Sequence, residues 1–232
     1  MTVDEIEVAD PPQAWTGAGF SVGPGDISNI GGVRIRLTGR ANGTGIRGWS
    51  LSGVAVGADV DGSLDGIPTR RSDAAPADPA THANGTIAID HIVVASPDLR
   101  RTVAALASIG MQPRRERDAQ LGGRPIRQIF FRFGPVIVEV VGTPGVASAG
   151  PSSLWGITYT VADIDATAAF FGDRATPVKD AVQPGRRITT LDHRALGMSV
   201  RTAMISEHIP RSLRSPPQAG GTPSPPPLKL DG

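Results

Sequence analysis

The sequence predicts an α+β fold built from two consecutive βαβββ modules, and three observations carry that reading. Ile87 to Val94 (IAIDHIVV) is a β-rich run of strand length, followed at once by SPDLRR, which opens a helix. RQIFFRF, ending at Phe133, and PVIVEVV, from Pro135 to Val141, are two further apolar strands joined by a tight turn at Gly134. The pattern then recurs: SLWGITYTVADIDATAAFFGD reads as an alternating strand and a helix capped by Asp163.

Taken in chain order, residues 1–67 read as a degenerate copy of the same module. AWTGAGF from Ala14 resembles ALASIGM from Ala105, and NIGGVRIRLTG from Asn29 lines up with RFGPVIVEVVG from Arg132. GIRGWSLSG reads as the first strand of a fourth copy that does not continue. From Pro68 to Thr86 the chain carries no Val, Ile, Leu, Met or aromatic residue. Such a segment buries too little surface to offset its ordering entropy, so 68–86 reads as a flexible linker. Arg70 and Arg71 are the bonds a protease is expected to reach first.

Residues 87–206 form the two-module unit. In its first helix Ser96 suits the cap and Pro97 the first turn, Leu99, Val103 and Leu106 share a stripe, and Gly110 ends it. A less regular strand is expected from Met111 to Arg117. Setting Ala162-Asp163-Ile164 against Pro97-Asp98-Leu99 places Gly156 opposite His91, and ALGMSVRTAM parallels RFGPVIVEVV. The remainder, 207–232, is Pro-rich and reads as an extended, disordered tail.

Composition narrows the function classes. Lys+Arg 23 against Asp+Glu 22 leaves a net charge of +1, which argues against a phosphate-neutralising nucleic-acid surface. Aromatics at 4% argue against a stacking platform for single strands. Cys 0 removes disulfides, thiolate metal sites and cysteine nucleophiles. No signal peptide and no apolar stretch near the roughly 20 residues of a membrane span is visible, so a soluble, cytoplasmic protein is expected.

Two consecutive βαβββ units, with His91 in the first strand and Glu139 in the last, resemble the vicinal oxygen chelate superfamily. That group includes glyoxalase I, bleomycin-resistance proteins and extradiol dioxygenases. IDHIVVASPDL, LWGITYTVADIDA and DAVQPGRRITTL are similar to glyoxalase-like proteins of unassigned activity from actinobacteria. The resemblance implies sheets curled around one cleft, where each module supplies a first-strand ligand and a last-strand Glu to a divalent metal. Carried over, His91 and Glu139 are the first module's metal ligands, with Glu139 also the catalytic group. The second module departs from the pattern, with Gly156 at the His position and Thr202, or Arg201 after a one-residue slip, at the Glu position. In the eroded copy Arg36 stands opposite Glu139.

The residues themselves leave several readings open. Glu139 lies in VIVEVV, and a carboxylate among apolar neighbours needs a cation, a metal or hydrogen bonds. A metal pair, a base with its partner, and a structural His–Glu hydrogen bond all satisfy that need. Gln183, Arg186 and Arg187 stand where a strand enters near the cleft mouth, and an arginine fork suits an acid group of a small-molecule substrate. Trp155 and Tyr159 fall on one face of an alternating strand, where they either stack on a ligand or fill the sheet. Gly43 to Gly48 matches a dinucleotide fingerprint, but no helix opens after it. Metal-assisted lyase, isomerase or dioxygenase chemistry is one expectation, and a metal-free, drug-sequestering binding protein is the other. A homodimer that supplies the missing ligands is a third arrangement.

Overall fold

Strand pairing converts these repeats into two mixed sheets in a computed structural model that describes residues 1–54 and 62–208. The N-terminal sheet contains β1 (Thr2–Val8), β2 (Ile27–Ile30), β3 (Val33–Leu37), β4 (Ile46–Ser52), β5 (Gly62–Leu64) and β6 (Ile67–Ser72), with helix α1 (Pro12–Gly17) after β1. Its order is β2-β3-β1-β4-β6-β5. The C-terminal sheet begins with β7 (Thr86–Ala95), α2 (Leu99–Ser108), β8 (Arg115–Leu121), β9 (Arg124–Phe133) and β10 (Val136–Gly142). It continues through β11 (Ser153–Val161), α3 (Ile164–Phe171), β12 (Lys179–Asp180), β13 (Arg187–Thr190) and β14 (Arg201–Ser206), in the order β12-β13-β14-β11-β7-β10-β9-β8.

Each central module places its first and last strands side by side and parallel, β7 with β10 and β11 with β14. The two modules join where β7 pairs antiparallel with β11. This is the curved, paired βαβββ arrangement. The N-terminal sheet repeats the plan in shortened form: β1 is parallel to β3, β4 is parallel to β6, and β1 meets β4 antiparallel. The strand GIRGWSLSG therefore does continue into a module, through β5 and β6, contrary to the sequence expectation.

Local chemistry sets the helix starts. Asp98 caps α2 by accepting from Arg100 N and Arg101 N at 3.0 and 3.2 Å, and Asp163 caps α3 in the same way. Ser96 is not the cap; its hydroxyl is buried against Thr102 Oγ1 at 2.6 Å. The irregular strand expected from Met111 is displaced to Arg115–Leu121. An edge strand facing a polar cavity carries no apolar alternation, which hid its boundaries.

One apolar core joins the two sheets. Trp15 and Phe20 pack with ring centroids 4.8 Å apart, and both lie against Tyr159 of β11. Trp49 of β4 meets Phe133 of β9 at 5.8 Å. Each such fully buried side chain stabilises by roughly 2–3 kcal/mol. At the turn before β6, Asp65 accepts from Arg101, from Thr102 Oγ1 at 2.5 Å and from Ser152 Oγ at 2.6 Å, which docks the N-terminal sheet onto α2.

The segment 68–86 differs from the linker expected there. Residues 68–72 lie inside β6, which pairs with β5 over residues 67–69 and with β4 over residues 69–72. Beyond them, Ala77 N donates to Gly32 O and Ala80 N to Asn29 O. His82 and Asn84 are buried. His82 Nδ1 accepts from Ser21 N at 3.0 Å, so Nε2 carries the proton toward Asn29 O, and burial lowers the imidazole pKa below its ordinary value. Backbone and buried polar partners hold this segment in place of apolar anchors. The Pro-rich tail falls, from residue 209 on, outside the described residues. No helix among the described residues is long and apolar enough to cross a membrane.

Limited trypsin digestion is expected to spare the bonds after Arg70 and Arg71, because both residues are paired with Ser50 and Leu51 of β4 and that pairing must open before a protease can bind them. Early cleavage at either arginine would show that β6 detaches as the leading event.

Candidate functional site

The register of β7 builds the site. His91 pairs with Ile137 of β10 on one side and with Thr158 of β11 on the other, and Glu139 lies two residues beyond Ile137. Strand alternation therefore turns His91, Thr158 and Glu139 to one face of the sheet. Across β10 and β9 the same face carries Phe130 opposite Glu139 and Arg132 opposite Ile137. On edge strand β8 it carries Arg115 and Arg117. All of these residues but Thr158 line a cavity of about 710 Å³, closed on its far side by Lys179, Gln183 and Ile188.

A chain of polar contacts runs through the cavity floor. His91 Nε2 lies 3.5 Å from Glu139 Oε2 and 3.0 Å from Thr158 Oγ1. On the other side of the ring, Nδ1 is 2.9 Å from Asp90 Oδ2. Arg186 Nη1 donates to Asp90 Oδ1 at 2.6 Å, and its Nε donates to Ser206 O at 2.7 Å. Gln128 donates its amide to Glu139 Oε1 and accepts from Arg117 Nε at 2.9 Å. Burial pushes the Asp90 carboxyl up, but the His91 hydrogen bond and the Arg186 guanidinium outweigh it and hold the pKa below the ordinary value. An ionised Asp90 only accepts, so the network assigns the ring proton to Nδ1. The Nε2 lone pair then faces the cavity side.

Asp90 reaches His91 through a β-bulge. Thr158 pairs with His91 and Tyr159 with Ile89, so Asp90 is the extra residue on β7. Regular alternation would send it to the opposite face with Ile92. A bulge re-aims such a side chain.

The structure redistributes the residues expected from sequence. It brings His91 and Glu139 together, and Gln183 lines the same cavity. Arg186 is buried and committed to Asp90 and Ser206. Arg187 points away, with its two terminal guanidinium nitrogens, Nη1 and Nη2, on Asp165 of α3 at 2.6 and 2.9 Å. Trp155 sits in a second bulge of β11, 41% exposed, with the Arg201 guanidinium 4.7 Å above its ring. It lines a separate cavity of about 550 Å³ together with Arg40, His193 and Arg194. Tyr159 is fully buried between Trp15 and Phe20, and its hydroxyl has no hydrogen-bond partner among the described residues. Burial, and then the nearby Asp10 charge, push that hydroxyl well above its ordinary pKa. Tyr159 is core, and Trp155 belongs to another surface.

The second module's ligand positions also resolve. Gly156 pairs with Arg201 and Thr158 with Ala203, so Ala203 stands where the first module has Glu139. Thr202 turns to the other face, buried, with its hydroxyl on Val200 O. A Cβ on Gly156 would meet Arg201 O at 2.9 Å, so no side chain fits there. Among the described residues no group of three His, Asp or Glu side chains could hold a metal ion. Sequence reasoning missed Asp90, Thr158, Gln128 and Arg117. Gln128 alone left a trace, as a polar residue at the head of an apolar strand.

No family model matches the chain, and no curated protein matches it. Solved structures do. A variant of 4-hydroxymandelate synthase from Streptomyces coelicolor superposes with a TM-score of 0.63 at 14% identity, covering 90% of this chain and 93% of that one. An extradiol ring-cleaving dioxygenase from B. fuscum gives 0.57 at 13% identity, over 90% of this chain and 72% of that one. A catechol 2,3-dioxygenase gives 0.55 at 12% identity, over 93% and 97% of the two chains. These likenesses show the fold, curved mixed sheets of paired βαβββ modules. They extend through the N-terminal sheet, where the sequence signal is faint.

Tyr159→Phe removes a buried hydroxyl that has no partner among the described residues, so stability is expected to hold or rise by about 1 kcal/mol. Thermal denaturation checks this, and a clear fall in Tm would mean the hydroxyl is bonded.

Proposed function

We propose that this chain is a vicinal oxygen chelate protein acting on a small molecule in the His91–Glu139 cavity. The observation that carries the reading is the paired restraint on those two residues. Asp90 holds the rear nitrogen of His91, and Gln128 holds the rear oxygen of Glu139. That leaves Nε2 and Oε2, 3.5 Å apart, to serve the cavity. Fixing the outer atoms of two donors is how proteins orient metal ligands.

The donor set fits a divalent cation as a half-site. Tetrahedral metal–donor distances of about 2.0–2.1 Å give an edge of roughly 3.4 Å between donors, close to the observed separation. His91 and Glu139 would hold the ion, with remaining positions left to water or to ligand oxygens, and affinity would be modest. Such an ion supplies Lewis-acid polarisation of ligand oxygens. The chain's own residues supply the rest. Glu139 offers a carboxylate oxygen as proton acceptor, and Asp90 stabilises charge that develops on the His91 ring. Isomerase, lyase and dioxygenase-type reactions, glyoxalase-like ones among them, all use a developing oxyanion at such a position.

A second reading has its own support. The Thr158 hydroxyl already engages His91 Nε2, and the opposite module has Gly156 and Ala203 at the positions equivalent to His91 and Glu139. With no donor side chain at those two equivalent positions, these features favour a metal-free binding protein that uses the same cavity.

Calorimetric titration with manganese(II) or zinc(II) separates the two. One equivalent of metal, lost in His91→Ala and weakened at least about tenfold in Glu139→Gln, is the expected result. No metal binding by chain purified without chelator would leave the metal-free reading standing.

A further inference from the structure

The charge distribution around the cavity carries an inference about its ligand. Many of the arginines elsewhere are neutralised in place. Arg34 meets Asp4, Arg36 meets Glu5, Arg101 meets Asp65, Arg127 meets Asp118, and Arg187 meets Asp165. The cavity wall is different. Arg114, Arg115, Arg132 and Lys179 line it, and none has an ion-pair partner among the described residues. Arg117 adds a fifth cation, bonded only to the neutral Gln128. The carboxylates lining the cavity are Glu139, on its floor, and Asp180. A chain with a net charge of only +1 thus gathers five cations at this opening, against the three arginines, Arg40, Arg194 and Arg201, that line the Trp155 cavity.

Side-chain direction explains how they converge. Arg115 and Arg117 are two apart on edge strand β8, so both lean over the same face. Lys179 stands on β12, the opposite edge of the same sheet. Uncompensated cations around a low-dielectric concavity focus the field and raise the local concentration of anions. Between them and His91 lie Phe130, Ile137 and Ile188, which offer apolar contact but no hydrogen bonds.

We infer that the ligand is a small organic anion with at least two negative charges on an apolar body. Its charged end, a phosphate monoester or a pair of carboxylates, sits among Arg115, Arg117, Arg132 and Lys179. Its body lies on Phe130, Ile137 and Ile188. The inference rests on the cavity being the ligand site, and it holds whether or not a metal binds there. It moves the anion-holding role from Arg186 and Arg187, which are committed to Asp90 and Asp165, to the β8–β9 wall.

Calorimetry on the full chain at low ionic strength tests it with naphthyl phosphate, naphthalene dicarboxylate and uncharged naphthol as probes. At least one of the two anions is expected to bind, with an affinity that falls as salt rises, and naphthol is expected to bind far more weakly. Whichever anion binds better names the charged group. Replacing Arg115 and Arg117 together by Ala should weaken the anion at least about tenfold. Arg194→Ala, in the other cavity, should change nothing. The anions are titrated into metal-free chain, so that loss of metal binding and loss of anion binding read out separately. Failure of both anions to bind, equal affinity for naphthol, or an unchanged affinity in the double variant would overturn the assignment.

Discussion

The bulge that turns Asp90 beside His91 is the constraint on which the site depends. Without the extra residue in β7, an aspartate between Ile89 and His91 would face the apolar core shared by the two sheets. Isolating a carboxylate there costs several kcal/mol. With the bulge, the same carboxylate accepts from Arg186 and from the His91 ring, and its pKa stays low despite burial. Arg186 is in turn tied to β14 through Ser206 O. The second module therefore still shapes the site, although its own ligand positions hold no ligand. It fixes the ring that the first module presents.

The four-fold repetition shows what was kept and what was replaced. By register, Glu5 of β1 occupies the place of His91, and Arg36 of β3 that of Glu139. The two form a bidentate ion pair at 2.9 and 2.8 Å, which closes the N-terminal sheet's counterpart of the site with a charge pair. In the remaining modules the first-strand position is glycine. A Cβ on Gly48 would meet Pro68 O at 2.7 Å, much as one on Gly156 would meet Arg201 O. Close approach of the last strand has removed the room for a side chain in both. Of four equivalent positions, one carries a His–Glu pair.

Much of this was legible in the sequence, for identifiable reasons. A carboxylate inside VIVEVV stands out because apolar strands do not tolerate it without a partner, and the first-strand histidine was the residue able to meet it. Helix starts were marked by Asp98 and Asp163, though the former was misread as Ser96. What escaped was whatever depended on a bulge or on backbone partners. Trp155 and Tyr159 share parity along the strand, yet the bulge at Trp155 gives them different environments. Arg186 and Arg187 are adjacent, so one had to face the site and the other α3; the sequence does not say which. Residues 73–85 lack apolar anchors but are held by Gly32 O, Asn29 O and the buried His82 and Asn84. Hydrogen bonds of that kind leave no hydropathy signal.

The central claim is that Asp90 fixes His91 with its proton on Nδ1 and its Nε2 lone pair toward the cavity. Nitrogen-15 NMR of the histidine side chains measures that directly. The neutral His91 ring is predicted to be the Nδ1–H tautomer, shifting toward a tautomer mixture in Asp90→Asn. A neutral ring carrying its proton on Nε2, unchanged by that substitution, would contradict the account.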